Sequence, residues 1–354
     1  MSSILNRLRQ SFLRYSVRQR DLQEQADIET ALLLTSWWKC ITIGHQEDRQ
    51  TLQQEAERMQ SMAGYKQVNI LRKNLDQQIL RMFLAIDAAR TVEETTKASR
   101  MHHGFEEING GTGGSTQARE DWRPPNRRRR PQTSSISRRG EREDMESARE
   151  SARRGRVFKS LRQDLGFTLC HGPSSILSAG RGVFLEGRAR IGSLVGIYPG
   201  LVYLPEHLRK AEEVAELFPD PDIFLFQRYD KIVVDGRAAE KMPHNEYALA
   251  HLCNHGKPNV MAVAYDFPQD PLGWGGFPHE LRPYIPNAFA RPRSLLGSPD
   301  QSALIQSVVL VATTDLEDGE ELFLNYRLNP KHGSESLPPW YVPVDAKEDQ
   351  RRWA

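Results

Sequence analysis

A chain of 354 residues and 40.4 kDa has room for two or three domains. Only 38% of its residues are hydrophobic and its mean hydropathy is -0.60, low for one continuous core, so part of it is expected as solvated linker. The net charge of +2 hides an asymmetry: residues 1–156 carry 28 Lys+Arg against 21 Asp+Glu, whereas residues 157–354 carry 20 against 25. The longest apolar cluster, Ala31 to Ile43, is broken by Thr35, Ser36 and Lys39. It also falls short of the ~20 residues that span a bilayer, so no transmembrane helix is expected. Three cysteines (Cys40, Cys170, Cys253) are too few and too scattered for a disulfide framework or a cysteine-built zinc site, which points to a reducing compartment.

Residues 1–20 hold five arginines and no acid, with Leu5, Leu8, Phe12 and Tyr15 at helical spacing. This basic amphipathic segment fits a mitochondrial presequence, and equally a basic helix lying on a partner or on nucleic acid. Residues 21–108 read as helical. One apolar stripe runs through Ala31, Leu32, Leu34, Trp38 and Ile41. Another runs through Val68, Leu71, Leu75, Ile79, Met82 and Ile86, at the spacing of an amphipathic helix or a coiled coil. Gly44 and Gly64 are expected breaks, and a small helical bundle or hairpin, open to a protein partner, is the expected result. Residues 109–156 read as a disordered Gly/Arg/Ser-rich linker. Its stretch Trp122–Arg139 has seven arginines and no acid, including Arg127–Arg130. That run fits a nuclear import signal, a phosphate- or nucleic-acid-binding patch, or a solvated tether. Thr133, Ser134, Ser135 and Ser137 beside it are candidate phosphorylation sites.

From residue 157 the pattern changes to short β-rich runs between turns: Gly182–Leu185, Leu194–Tyr198, Ile223–Phe226, Lys231–Val234, Val260–Tyr265 and Ile305–Thr313. The fold class expected is therefore α+β, a helical front followed by a mostly-β domain. Four clusters in that domain carry the chemistry. Gly180-Arg181-Gly182 precedes a strand, where glycines let the backbone approach a ligand closely. Tyr198-Pro199-Gly200 ends another strand. Asn254-His255-Gly256-Lys257-Pro258-Asn259 is a polar loop entering a third; without Cys or His at ligand spacing, no metal is expected there, and a structural histidine is the simplest account. Gly319-Glu320-Glu321-Leu322-Phe323-Leu324-Asn325-Tyr326 closes the series. Adjacent Glu320 and Glu321 point to opposite faces of a strand, so they do not form an acid–base pair; one of them is expected to anchor the turn.

These four motifs, in this order, resemble the SET domain of protein-lysine methyltransferases over residues 157–330. Phe277–Leu281, Tyr284–Asn287 and Ser174-Ser175 ahead of Gly180 look most like the SET-domain-containing protein nine type. The resemblance implies a knot-like β fold with S-adenosylmethionine on one face of a channel and a substrate lysine of a protein or peptide on the other. It implies that Gly180, Arg181, Gly182, Asn254 and His255 hold the cofactor and that Tyr326 is the catalytic channel tyrosine, also touching cofactor. Tyr198, Trp340 and Tyr341 are further candidates for channel or cofactor contact, although Trp340 and Tyr341 fit tail packing equally well. The family's variable insert falls at about 204–245, and residues 331–354 form an aromatic tail. The Asn-His motif is one residue shorter than the family's and lacks its Ser and Cys, so its loop is expected to close differently, which puts cofactor affinity in question. A catalytically silent SET scaffold is the alternative function. The Arg run favours the nucleus and the first twenty residues favour the mitochondrion.

Overall fold

The structure, a computed structural model, describes residues 19–42, 54, 57–59, 61–109, 155–208, 217, 224–269, 276–291, 303–328 and 340–347, with backbone only for 19–22 and 92–109. The expectations for residues 1–18, Gly44, Arg127–Arg130, Thr133–Ser137 and most of the linker lie outside the described residues, as do 209–216 and 218–223 of the insert. The chain divides into two compact units, Met1–Leu84 with Arg162–Ala354, and Ala85–Leu161. The second unit contains the later part of a long helix, where Ala85, Ile86 and Ala89 are buried, and the start of a helix at 155–165, where Val157 and Leu161 are buried.

In the first unit the N-terminal helix, Gln19–Thr42, buries Ala31, Leu32, Leu34 and Trp37. Trp37 is buried beside Leu34 while Trp38 is half-buried, and the inward Thr35 returns its hydroxyl to the Ala31 carbonyl at 2.8 Å. The long helix, Gly64–Asn109, buries Leu71, Leu75, Ile79 and Met82 but leaves Val68 exposed. Polar side chains tie the two helices together: Asn74 Nδ2 donates to Ser36 Oγ at 3.0 Å, and Gln25 Nε2 to Gln67 Oε1 at 2.7 Å. The expected helix pair is present, but strands complete its buried face. Gln78 donates to the Gly192 carbonyl at 3.1 Å and accepts from Leu194 N–H at 2.7 Å. Phe83 meets Phe277 edge-on at 5.1 Å and Phe267 at 5.8 Å.

The strands are β1 (Phe167–Pro173), β2 (Arg181–Gly187), β3 (Leu194–Ile197), β4 (Gly200–Tyr203), β5 (Leu225–Gln227), β6 (Val233–Asp235), β7 (Asn254–His255), β8 (Val260–Pro268), β9 (Asn287–Phe289), β10 (Ala303–Ala312) and β11 (Phe323–Leu324). They form an antiparallel β1–β2 hairpin, a three-stranded sheet ordered β3–β10–β8, a four-stranded sheet ordered β5–β6–β4–β9, and a parallel β7–β11 pair. The sequence of β10, Ala-Leu-Ile-Gln-Ser-Val-Val-Leu-Val-Ala, is buried almost throughout, as expected of a central strand covered on both faces. Arg228, 5% exposed, lies across the edge of this sheet. It pairs with Asp266 at 2.7 Å and Asp230 at 2.6 Å and donates to the Ser307 carbonyl. The architecture is mixed α and β, and no described helix is long and apolar enough to cross a membrane.

All six runs expected as strands contain one, with the described ends shifted by at most three residues. Strands β1, β4, β7 and β9 lie outside those runs, and β11 falls on the short strand expected in the closing motif. The two-residue β7 and β11 carry too little local pattern to read, and their pairing with each other across the chain makes them strands.

Candidate active site

The site forms where two segments of chain run side by side. Phe323 pairs with Asn254 and Leu324 with His255, in parallel. Asn259 pins the pair: its Oδ1 accepts Phe323 N–H at 2.8 Å and its Nδ2 donates to the Glu321 carbonyl at 2.8 Å and Glu320 Oε1 at 3.0 Å. Gly256 N–H donates to the Leu324 carbonyl at 3.1 Å. The shortened Asn-His loop therefore still closes against the terminal motif, with the backbone of Gly256 making a bond across it.

The two glutamates diverge as alternation requires. Glu320 returns to its own turn, accepting Glu317 N–H at 3.0 Å. Glu321 crosses to the other side. Its carboxylate accepts from Ser174 Oγ at 2.7 Å, Ser175 N–H at 2.7 Å, Ser175 Oγ, and Asn254 Nδ2 at 3.4 Å. Burial alone would raise this carboxyl, but the bonds from Ser174 and Ser175 hold it below its ordinary value, so it stays ionised. Gly182 is a glycine because of it: a Cβ there would sit 2.1 Å from Glu321 Oε1. Both glutamates thus anchor turns, and the sequence pattern alone did not show that Glu321 also organises the Ser174–Gly182 loop. Replacing Glu321 with alanine strands Ser175 N–H and two hydroxyls, for an expected loss of about 2–4 kcal/mol of stability. Urea unfolding measures it; a loss below about 0.5 kcal/mol would show that water substitutes for the carboxylate.

The residues named from the sequence gather around this crossing. Asn254 Nδ2 donates to the Arg181 carbonyl at 3.0 Å, joining the loop of Gly180, Arg181 and Gly182 to the Asn-His motif. Among the described residues nothing lies within 4 Å of where Gly180 would carry a Cβ, so this backbone borders open space there. Tyr326, 38% exposed, points its hydroxyl at the Cys253 carbonyl, 2.8 Å away. Its N–H donates to His255 Nδ1 at 3.2 Å, while His255 Nε2 lies 2.7 Å from the Val342 carbonyl. With Nδ1 accepting, His255 is the Nε2–H tautomer. Tyr341 is buried and stacks on the His255 ring at 4.5 Å, and Trp340, 56% exposed, stands edge-on to Tyr326 at 6.1 Å. Tyr341 thus packs the tail onto His255, and Trp340 borders Tyr326.

Tyr198 lies beyond Tyr326, buried against Phe226 at 5.7 Å and His251 at 6.4 Å. Burial, and secondly the neighbouring Tyr326, push its phenol well above the usual range. Burial likewise raises Tyr326, with Cys253 adding to it. Both hydroxyls are protonated donors at neutral pH. Two further residues were missed from the sequence. Phe224 adopts φ 57° and packs on His251 at 5.8 Å. Among the described residues, His251 has a buried Nδ1 without a hydrogen-bond partner. Burial, then the charges of Arg181 and His171, push its pKa down to about 4. A histidine whose folded pKa is lowered costs stability as pH falls from the unfolded value of about 6.5 and stops doing so below the folded value. Between pH 7.5 and pH 5 the protein is expected to lose roughly 2 kcal/mol through this group, a loss that His251→Gln removes. Urea midpoints at the two pH values test it; an equal loss in the variant assigns the acid sensitivity elsewhere. Among the described residues no cluster of three or more His, Cys, Asp or Glu is arranged to hold a metal.

No family model matches the chain. A human protein named SET domain-containing protein 9 is 30% identical over an alignment of 199 residues, covering 47% of this chain and 60% of the relative. The chain is similar to SET domain-containing protein 9. The same-named protein of Pongo abelii is also 30% identical over 199 residues, covering 47% of this chain and 66% of its own length. The chain thus spans less than two thirds of the length of these SET domain-containing protein 9 relatives. The SET resemblance drawn from four short motifs, and its finer likeness to the nine type, agree with them. Among solved structures, ctPRC2 in an autoinhibited conformation bound to S-adenosylmethionine superposes with a TM-score of 0.26 at 20% identity, over 47% of this chain and 16% of that one. Chaetomium thermophilum Polycomb Repressive Complex 2 bound to GSK126 gives 0.28 at 16% identity, over 47% and 17%.

Proposed function

We propose that this protein is an S-adenosylmethionine-dependent protein-lysine N-methyltransferase of the SET type. The observation that carries the proposal is the placing of the partly exposed Tyr326, its hydroxyl on the Cys253 carbonyl and its N–H on His255, beside the parallel pair of Asn254–His255 with Phe323–Leu324. The residues present fit the cofactor: the backbone at Gly180 borders open space among the described residues, Asn254 bonds the adjoining Arg181 carbonyl, and the buried His251 Nδ1 has no hydrogen-bond partner among them. When bound there, S-adenosylmethionine would supply an electrophilic methyl group on a sulfonium. The chain's own part is alignment and desolvation. An apolar, aromatic wall disfavours the ammonium of a lysine whose free pKa is about 10.4, so the neutral amine is the form it accepts. The two phenol hydroxyls orient that amine and stabilise charge as the bond forms. The excess of acid over base in residues 157–354 suits a basic peptide.

In this reading residues 157–330 are the SET domain, with its knot-like crossing at β7 and β11 and its insert at about 204–245. Residues 1–20, the helical 21–108, the linker 109–156 and the tail 331–354 serve placement and partners. Arg127–Arg130 supports a nuclear location or nucleic-acid contact, and residues 1–20 the mitochondrial alternative. Reporter fusions of residues 1–40 and 120–156 separate the two.

A silent scaffold is favoured by one observation: both His255 nitrogens are already engaged, by Tyr326 N–H and by the Val342 carbonyl. Calorimetric titration of S-adenosylmethionine into the full chain distinguishes the readings. Micromolar binding, followed by a one-methyl mass gain on a lysine-peptide array, is the expected result. No binding by a folded chain overturns the methyltransferase reading in favour of the scaffold.

A further inference from the structure

Immediately after Tyr326 the backbone turns in a way few side-chain-bearing residues adopt: Arg327 has φ 52°. Asn325 Oδ1 accepts Arg327 N–H at 3.1 Å, shaping the turn locally. Its guanidinium is then held from 300 residues away. Arg327 Nη1 meets Asp27 Oδ2 at 2.6 Å and Nη2 meets Asp27 Oδ1 at 3.1 Å, a two-pronged pair. Tyr229, on the turn between β5 and β6, donates its hydroxyl to Asp27 Oδ2 at 2.7 Å, and Gln23 donates to Oδ1 at 3.0 Å. Asp27 and Arg327 are 16% and 21% exposed, so the pair is largely shielded from water. Burial would raise the Asp27 carboxyl, but Arg327 overrides this and lowers it, keeping the carboxylate charged.

We infer that Asp27, on the N-terminal helix, is a positioning residue for Tyr326. A residue in the left-handed region persists where its surroundings hold it, and here a distant carboxylate supplies much of the hold. Tyr326 is otherwise tied by His255 Nδ1 at its N–H and the Cys253 carbonyl at its hydroxyl, and its ring meets His255 at 5.4 Å and Trp340 at 6.1 Å. Freeing Arg327 lets the 325–328 segment relax and swings the tyrosine out of line. A SET-type site in this protein is thus incomplete without a helix that lies outside the four motifs. The inference rests on the proposed role of Tyr326, and its test has an arm that does not depend on methyl transfer.

The experiment compares the full chain with Asp27→Asn, Asp27→Glu and the exchanged pair Asp27→Arg/Arg327→Asp. Amide hydrogen exchange is read in residues 325–328 and in β10 as an internal control. In Asp27→Asn, exchange over 325–328 is expected to rise about tenfold while β10 is unchanged, with Asp27→Glu or the exchanged pair recovering most of the protection. Turnover of S-adenosylmethionine on a lysine-rich peptide array is expected to show kcat falling by about tenfold with KM for the cofactor within about twofold. Unchanged exchange over 325–328 in Asp27→Asn overturns the inference, as does an equal rise in β10, which would mean general loosening. A wild-type chain that neither binds nor turns over S-adenosylmethionine sinks the methyltransferase reading instead, and the exchange arm still decides whether Asp27 holds the tyrosine segment.

Discussion

Replacing Tyr326 with phenylalanine is expected to lower methyl transfer by roughly 10²–10³-fold, a barrier increase of about 3–4 kcal/mol, with S-adenosylmethionine affinity kept within about threefold. The hydroxyl is the only atom removed. It now donates to the Cys253 carbonyl at 2.8 Å, at the edge of a wall built from Tyr198, His251 and Trp340. The backbone N–H that binds His255 Nδ1 is untouched, so the crossing of β7 and β11 should survive. The fold loses one partly buried hydrogen bond, about 1 kcal/mol, small beside the catalytic effect. Calorimetry and single-turnover transfer, run on the same preparations, separate the two quantities. A variant that transfers methyl as fast as the parent would remove Tyr326 from the reaction; a variant that no longer binds cofactor would make it a structural or cofactor-binding residue.

The second large effect is expected far from the chemistry. Gly192→Ala should cost about 3–5 kcal/mol of stability and release the N-terminal helix. Gly192 has φ +82°, and a Cβ there would lie 1.9 Å from the Leu34 carbonyl oxygen and 2.6 Å from its carbon. Backbone cannot step aside as a flexible side chain can. The turn is also fixed in place: Gly192 N–H donates to the Ala312 carbonyl at 2.8 Å and its own carbonyl accepts Gln78. Something must yield, and Leu32, Leu34 and Trp37 stand to lose their cover. Gly319→Ala is the matched control, with φ +79° but nothing within 4 Å of the added atom. It should cost only the conformational part, about 1–2 kcal/mol. Urea unfolding of both variants isolates the steric difference. If the two lose the same amount, the close approach of Leu34 to Gly192 is not what holds the helix down.

The acid sensitivity expected from His251 and the loop collapse expected from Glu321 concern the same side of the site. Both residues touch the environment of Arg181, one through charge and the other through the shared Asn254. Changes at either should therefore be read together with cofactor binding, since neighbouring sites need not be additive.

The amino-acid sequence by itself determined the α+β character, the helical front and the strand-rich back. It did so because hydrophobic period and β-branched runs are local properties. It also placed the four motifs, since their glycines, Asn254, His255 and Tyr326 recur at recognisable separations. The buried stripe of the first helix was legible except that Thr35 and Trp37 are buried and Trp38 is only half-buried. Tertiary structure alone decided the rest. Two-residue strands such as β7 and β11 exist only because each finds the other. Glu321 becomes the hub of the Ser174–Gly182 loop through bonds spanning about 147 positions, and Asp27 reaches Arg327 across 300. His255 acquires its tautomer from Tyr326 and its stacking partner from the tail. Such pairings leave no local periodicity, because what stabilises them is the desolvation and shared charge of groups that meet only after the chain has folded.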